Sequence, residues 1–361
     1  MTEPTYIPLR LHTEFSITDG MVRIKKLIAK AQEYGLPALG ISDLMNEFGL
    51  VKFYKACRGA GIKPIGAADV WIGNPNAPDK PFRAMLIIRN DAGYLRLSEL
   101  LTAAYVGKDR NVHHAELNPE WLENGDNSGL ICLSGAHYGE VGVNLLNGNE
   151  DAARAAALKY AAWFPDAFYL ELQRLPERPE WEACVSGSVK LAEELGLPVV
   201  ATHPTQFMSR DDFNAHEARV CIAGGWVLTD KKRPRDFTPS QFFIPPETML
   251  ERFADLPEAL ENTVEIAKRC NLHITLGKNF LPLFPTPDGL SLDDYLVKLS
   301  NEGLQERMVQ LYPDEAERAA KMPEYQERLD FELNIIIQMK FPGYFLIVQD
   351  FINWAKTHGC P

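Results

Sequence analysis

The 361-residue chain holds 46% hydrophobic and 24% charged residues, the balance of an ordinary water-soluble protein, and it is longer than one hydrophobic core usually serves. Its formal charge of -12 argues against a chain that by itself grips a nucleic-acid backbone. No apolar run approaches membrane-spanning length, Glu3 and two early prolines are unlike a signal peptide, and six scattered cysteines (Cys57, Cys132, Cys184, Cys221, Cys270, Cys360) read as thiols of a reducing cytoplasm rather than disulfides or zinc ligands.

The chain begins with a strand-like run, Tyr6 to His12, followed by Glu14-Phe15-Ser16-Ile17-Thr18-Asp19-Gly20. Residues two apart on a strand share a face, so Arg10 and His12 point into one pocket. A His-x-His pair there could share a metal, whereas a guanidinium has no free lone pair and stays protonated. Further short apolar runs near 37–43, 63–71, 83–89, 129–134, 167–173 and 197–203 alternate with helical patterns, which predicts βα units. Two units are near-copies, residues 31–43 and 192–203. In each a helix stops at Gly (Gly35, Gly196), Pro (Pro37, Pro198) bars further helix, and a buried strand ends in a polar residue.

The repeat predicts a parallel sheet closed, or nearly closed, into a barrel of seven rather than eight strands. Such barrels gather function at strand C-termini, here His12, Asp43, Asp69, Ser134, Glu171 and His203.

Beyond about residue 211 the character changes. Lys231-Lys232-Arg233-Pro234-Arg235 is the best local basic patch, and a short basic run beside prolines is more often a solvated loop. Helices are predicted from Pro246, from Pro257, from a Ser291 cap, over Tyr325–Met339 and over Tyr344–Lys356, with an extended Pro- and Phe-rich boundary near 271–288. The apolar face Phe345, Val348, Phe351 and Ile352 calls for a cover, and the chain is expected to be cut from a longer one.

The N-terminal strand, Asp43, the Gly61–Gly66 run leading to Asp69, Tyr169-Leu170-Glu171 and Pro198–Thr202 together resemble the polymerase and histidinol phosphatase (PHP) domain. Leu50–Tyr54, Pro257–Cys270 and Phe341–Val348 are similar to the N-terminal region of bacterial DNA polymerase III alpha subunits. The resemblance implies a distorted seven-stranded βα barrel (residues 1–280), then a mainly helical segment beginning the polymerase palm (281–361).

In active members the barrel holds divalent metals on His, Asp, Glu and Cys. Against that pattern Arg10 stands for the first His, Leu44 for the His after Asp43, Arg83 for the strand-four His, Ala136 for a Cys, and Pro204 and Gln206 for the closing Asp and His. What remains is a vestigial pocket of Arg10, His12, Asp19, Asp43, Asp69, Arg83, Glu171 and His203, in which arginines neutralise carboxylates that metals once bridged. No metal, other cofactor or catalytic residue is then expected in these residues.

Three readings follow. In the first, the chain is part of a replicative polymerase whose magnesium-binding aspartates lie downstream of Pro361. In the second, it is a metal-dependent phosphoesterase or 3'-5' exonuclease with a residual metal site. In the third, the inactive barrel docks the proofreading exonuclease subunit, while other replicase subunits bind through the missing C-terminal region and DNA through the parent polymerase. All three place it in the cytoplasm, away from membranes.

Overall fold

Both copies of the repeated unit fold alike. Helix Ile24–Glu33 ends just before Gly35 (φ +65°), helix Glu182–Leu195 ends at Gly196 (φ +66°), and each left-handed residue turns the chain so that Leu36 donates to Ala31 and Leu197 to Ala192. A buried strand follows each turn. The structure is a computed structural model that describes residues 5–278 and 280–360, in two compact units, Met1–Ile274 and Thr275–Pro361.

In the first unit β1 (Ala38–Leu44), β2 (Lys63–Ile72), β3 (Phe82–Ile88), β4 (Leu130–Leu133), β5 (Phe168–Leu172) and β6 (Val199–Ala201) pair in that order in one curled sheet. The strands are buried almost throughout, as in sheets covered by helices on their outer face. Helix Leu50–Gly59 shows why the covers pack, since it buries Leu50, Phe53, Tyr54 and Cys57 on one side at helical spacing. Five cysteines are buried free thiols and Cys360 is exposed.

Two features differ from the expected parallel seven-stranded barrel. β3 runs antiparallel to both β2 and β4. The link 73–81, punctuated by Gly73, Pro75 and Pro78, is too short for the helical crossover that a parallel return needs. As a result the N-terminal end of β3, with Arg83, arrives at the edge where β2 and β4 end.

The seventh element, residues 6–12, is extended but not a regular strand. It lies between β1 and the chain after β6, with Gly40 N donating to Pro8 O (2.8 Å), Ser42 N to Leu11 O (2.9 Å) and His12 N to Thr205 O (2.9 Å). Pro8 has no N–H to offer, and Leu11 N goes to the Ser42 hydroxyl at 2.9 Å instead of to a carbonyl. The Ile7 amide is held at 2.8 Å by Thr263 Oγ1, from helix Pro257–Arg269.

The second unit is helical: Leu292–Leu311, Glu315–Gln338 and Pro342–Thr357, meeting in a small cluster of Leu296, Leu333 and Leu346. Ser291 caps the first, its Oγ accepting from Asp294 N. The middle helix starts well before the expected Tyr325, because Asp314 caps it and Pro323 is accommodated inside it. Among the described residues no single helix is long and apolar enough to cross a membrane; the last two would pass by length and composition together but are bent by 117°.

Gly40 sits where the closing segment crosses β1, and a Cβ there would overlap the Leu9 carbonyl. Gly40→Ala should cost about 1–3 kcal/mol and lower Tm by several degrees, as overpacking against backbone does. Gly59→Ala, at a helix end with open space around it, should be neutral or slightly stabilising in the same thermal scan.

Candidate functional site

The site forms at the end of the curl where β1, β2 and β5 finish and β3 begins. The closing segment supplies Arg10 and His12 on one side, β2 supplies Asp69, β3 supplies Arg83 and β5 supplies Glu171. All but Arg83 are buried, and Arg83 is nearly so.

Asp69 is the hub. Its Oδ2 accepts from Arg10 Nη1, from Arg83 Nη2 and, at 3.0 Å, from His12 Nε2, so three cationic donors meet on one oxygen. The rest of the Arg10 fork engages Glu171, with Nε to Oε1 at 2.7 Å and Nη2 to Oε2 at 2.9 Å. Glu171 also accepts from Gly135 N, Gln173 Nε2 and Thr202 Oγ1, and its own amide is anchored on Ser134 Oγ. Arg83 lies over the Trp71 ring at 4.7 Å, as directly opposed residues on one sheet face can.

His12 bridges two acids, since its Nδ1 lies 2.9 Å from Asp19 Oδ1 while Nε2 reaches Asp69. Both nitrogens therefore donate, and the ring is an imidazolium. Burial pushes its pKa down, but the Asp19 and Asp69 carboxylates together raise it to about 9. Burial likewise works against ionised Asp69, yet Arg10 and Arg83 hold it below the usual carboxylate range. Asp19 is also lowered, burial being outweighed mainly by His12. Its backbone carbonyl is fixed by His216 Nε2.

Two expected members stand apart. Asp43 meets no arginine: it accepts from Thr13 N (2.6 Å), Thr13 Oγ1 and Ser16 Oγ (2.8 Å), holding the loop after the closing segment, and burial raises its pKa despite those donors. His203 is turned away, donating from Nε2 to Phe242 O (2.9 Å) and accepting from Arg252 at Nδ1, because β6 ends early and its polar residue packs on the following segment. In the basic run, Arg233 folds inward onto Glu217 while Lys231 and Lys232 are exposed.

Arg10, Asp19, Asp69 and Arg83 line a cavity of about 450 Å³. Leu44, Pro204 and Gln206, three of the positions singled out as exchanged ligands, line it too. Sequence reasoning missed its aromatic wall of Trp71, Tyr138 and Trp181, and it missed His137. That ring stacks on Trp181 with centroids 3.5 Å apart, and burial followed by the nearby Arg10 and Arg83 charges lowers its pKa to about 3. The one available signal was position, just after the polar end of β4 and Gly135.

A divalent cation does not fit this donor set. At an effective dielectric near 20, a unit charge about 4 Å from another costs about 4 kcal/mol, and a divalent ion beside either guanidinium about twice that. Asp69 Oδ2 already faces Arg10, Arg83 and His12, and both Glu171 oxygens already face Arg10. Among the described residues, no group of three or more His, Cys, Asp or Glu could hold a metal ion.

Residues 8–175 match the PHP domain model, and residues 294–361 match the model described as the bacterial DNA polymerase III alpha NTPase domain. The chain is 99% identical over all 361 residues to DNA polymerase III subunit alpha of Neisseria meningitidis serogroup A, covering 32% of that protein. It is 48% identical over 99% of its length to the same subunit of Pseudomonas fluorescens and 47% identical over 100% to that of Escherichia coli K12, covering 30% and 31% of them. The chain thus matches a PHP domain model over residues 8–175, aligns along its whole length with DNA polymerase III alpha subunits, and spans about a third of the length of these relatives.

The His12 bridge makes stability depend on pH in a definite sense. Its pKa is raised from 6.5 to about 9, so its contribution is complete below 6.5 and is lost as pH rises through about 9. Asp19 and Asp69 are lowered, so theirs is present above 3.8 and is lost as pH falls below it. Urea titrations should show the first unit most stable between these limits, and up to about 3 kcal/mol weaker once His12 is neutral. His12→Gln should lower the plateau and flatten the fall between 6.5 and 9.

Proposed function

We propose that this chain is the barrel-bearing portion of a replicative DNA polymerase III alpha subunit, in which DNA-directed DNA synthesis belongs to the parent chain and the PHP barrel is a retired metal site. The observation that carries the reading is the pair of guanidinium groups on Asp69 and Glu171, fixed charges at carboxylates that would otherwise need metals. Near-identity to an alpha subunit supports the parentage. Freed from catalysis, the barrel serves as a structural support and as the dock for a proofreading exonuclease subunit. Magnesium, DNA and the remaining replicase subunits are then partners of regions beyond these residues.

The competing reading, a metal-dependent phosphoesterase or exonuclease, needs a metal-bound water poised for attack on phosphorus. Here the carboxylates that would hold the metal are engaged by Arg10, Arg83 and His12. No step can be drawn through a metal with this donor set.

The purified chain should neither extend a primer nor hydrolyse nitrophenyl phosphate with manganese or zinc. Stoichiometric metal by elemental analysis, or metal-dependent turnover lost in Asp43→Asn, would show that the site is a working one. Combining Arg10→His, Leu44→His, Arg83→His, Pro204→Asp and Gln206→His should bring measurable zinc or manganese binding.

Asp43→Ala strands the donors of Thr13 and Ser16, about 1–3 kcal/mol, so Tm and the activity of the full-length polymerase should fall together. Lost activity with an unmoved thermal transition would favour direct catalysis.

A further inference from the structure

Arginines in this chain hold carboxylates by a recurrent device. Arg10 grips Glu171 through Nε and Nη2, and Arg174 grips Glu182 through the same edge, with Nε to Oε2 at 2.9 Å and Nη2 to Oε1 at 2.7 Å. That edge of a guanidinium presents two parallel donors, which match the two oxygens of a carboxylate. Arg252, the last residue of helix Pro246–Arg252, is held beside Arg174 with its own such edge unused. Arg174 Nη1 donates to Arg252 O at 2.8 Å, while Arg252 Nη1 donates to Arg174 O at 3.4 Å and to His203 Nδ1 at 3.3 Å.

These contacts anchor one corner of the Arg252 group and leave the rest free. Its Nε and Nη2 have no partner among the described residues, and both are open to solvent rather than sealed in. Among the described residues no carboxylate lies within 4.0 Å of it. Glu177 acts on it from farther off and accepts instead from Ser240 Oγ at 2.7 Å. Burial accordingly lowers the Arg252 pKa, and the pull of Glu177 and Tyr6 does not restore it.

Arg174, Arg178 and Arg252 line one cleft of about 330 Å³ together with Leu175, Pro176 and Pro179. Arg174 is matched by Glu182 and Asp255, while Arg178 lies 3.6 Å from Glu180 and donates to Arg235 O. Of the three, Arg252 alone keeps an unbalanced charge. A neutral guest would leave its fork unmet. A phosphate dianion would bring a second charge and further oxygens to apolar walls and to Glu182. One carboxylate on an apolar body matches both the single charge and the walls.

We propose that the Nε/Nη2 edge of Arg252 binds a carboxylate bidentately, with the apolar body of the ligand against Leu175, Pro176 and Pro179. The carboxylate can come from a small organic acid or from an acidic side chain of a peptide. The site uses none of the side chains bonded to Asp69, so it is independent of the retired metal pocket.

Calorimetry at low salt on the whole 361-residue chain tests this with N-acetyl-leucine, its amide, inorganic phosphate and a capped proline-glutamate-proline peptide. The acid or the peptide should bind saturably, the amide at least tenfold more weakly, and phosphate no more tightly than the better of the two. A tighter peptide assigns the site to acidic side chains of a partner, and a tighter acid assigns it to free metabolites. Arg252→Lys keeps the charge but loses the two-donor edge, and it should weaken binding about tenfold. In the unaltered chain the bound acid should shift the ring signals of His203, whose Nδ1 accepts from the same guanidinium, so the location is read even where the variant folds poorly. Equal binding of the amide, tighter binding of phosphate, unchanged affinity in Arg252→Lys, an unmoved His203 signal, or no saturation with either carboxylate overturns the proposal.

Discussion

Carboxylates taken out of water at the mouth of a barrel must be matched by positive charge held at bonding distance, and the whole arrangement around Asp69 follows from that demand. A metal ion would meet it with an exchangeable charge; Arg10 and Arg83 meet it with charges that cannot dissociate or lose a proton. Because Arg10 also donates from Nε and Nη2 to Glu171, one side chain ties β2 to β5 across the curl. The His12 imidazolium extends the same balance to Asp19, and through the Asp19 carbonyl to His216. Removing one member of such a set leaves a buried charge uncompensated, which typically costs about 3–5 kcal/mol.

Topology serves that charge balance. In an all-parallel barrel the start of the strand after β2 would lie at the far end from the site. The antiparallel course of β3 brings its first residues to the mouth, where Arg83 can lie on Trp71 and reach back to Asp69. The same hairpin makes the sheet mixed, and the closing segment completes the curl with backbone bonds that Pro8 and the Ser42 hydroxyl leave irregular.

Much of this was legible in the sequence where the cause is local. The alternation of Arg10 and His12, the Gly–x–Pro endings of two helices and the Ser291 cap each depend on residues a few positions apart, and the structure shows all of them. The direction of β3 is set by the short 73–81 link, whereas the expectation of a parallel sheet came from the repeat pattern of βα units. His203 and Asp43 carried the residue types of a pocket, but their partners, Phe242 and Arg252 for one and Thr13 and Ser16 for the other, are set by folding of distant or looped segments. His137 offered only its position after β4, because what distinguishes it is stacking on Trp181, forty-odd positions on.

The closing segment also sets an order of events during synthesis. Ile7 is made well before its amide partner Thr263, which lies 256 positions later. At translation rates of about 5–20 residues per second, this stretch waits about 13–50 s for the helix that holds it. Until then Ile7, Leu9 and Leu11, each at most 1% exposed in the finished fold, have no completed core to enter. This stretch is thus secured long after it is made, and the nascent chain offers a sticky apolar segment to whatever shields new polypeptides at the ribosome.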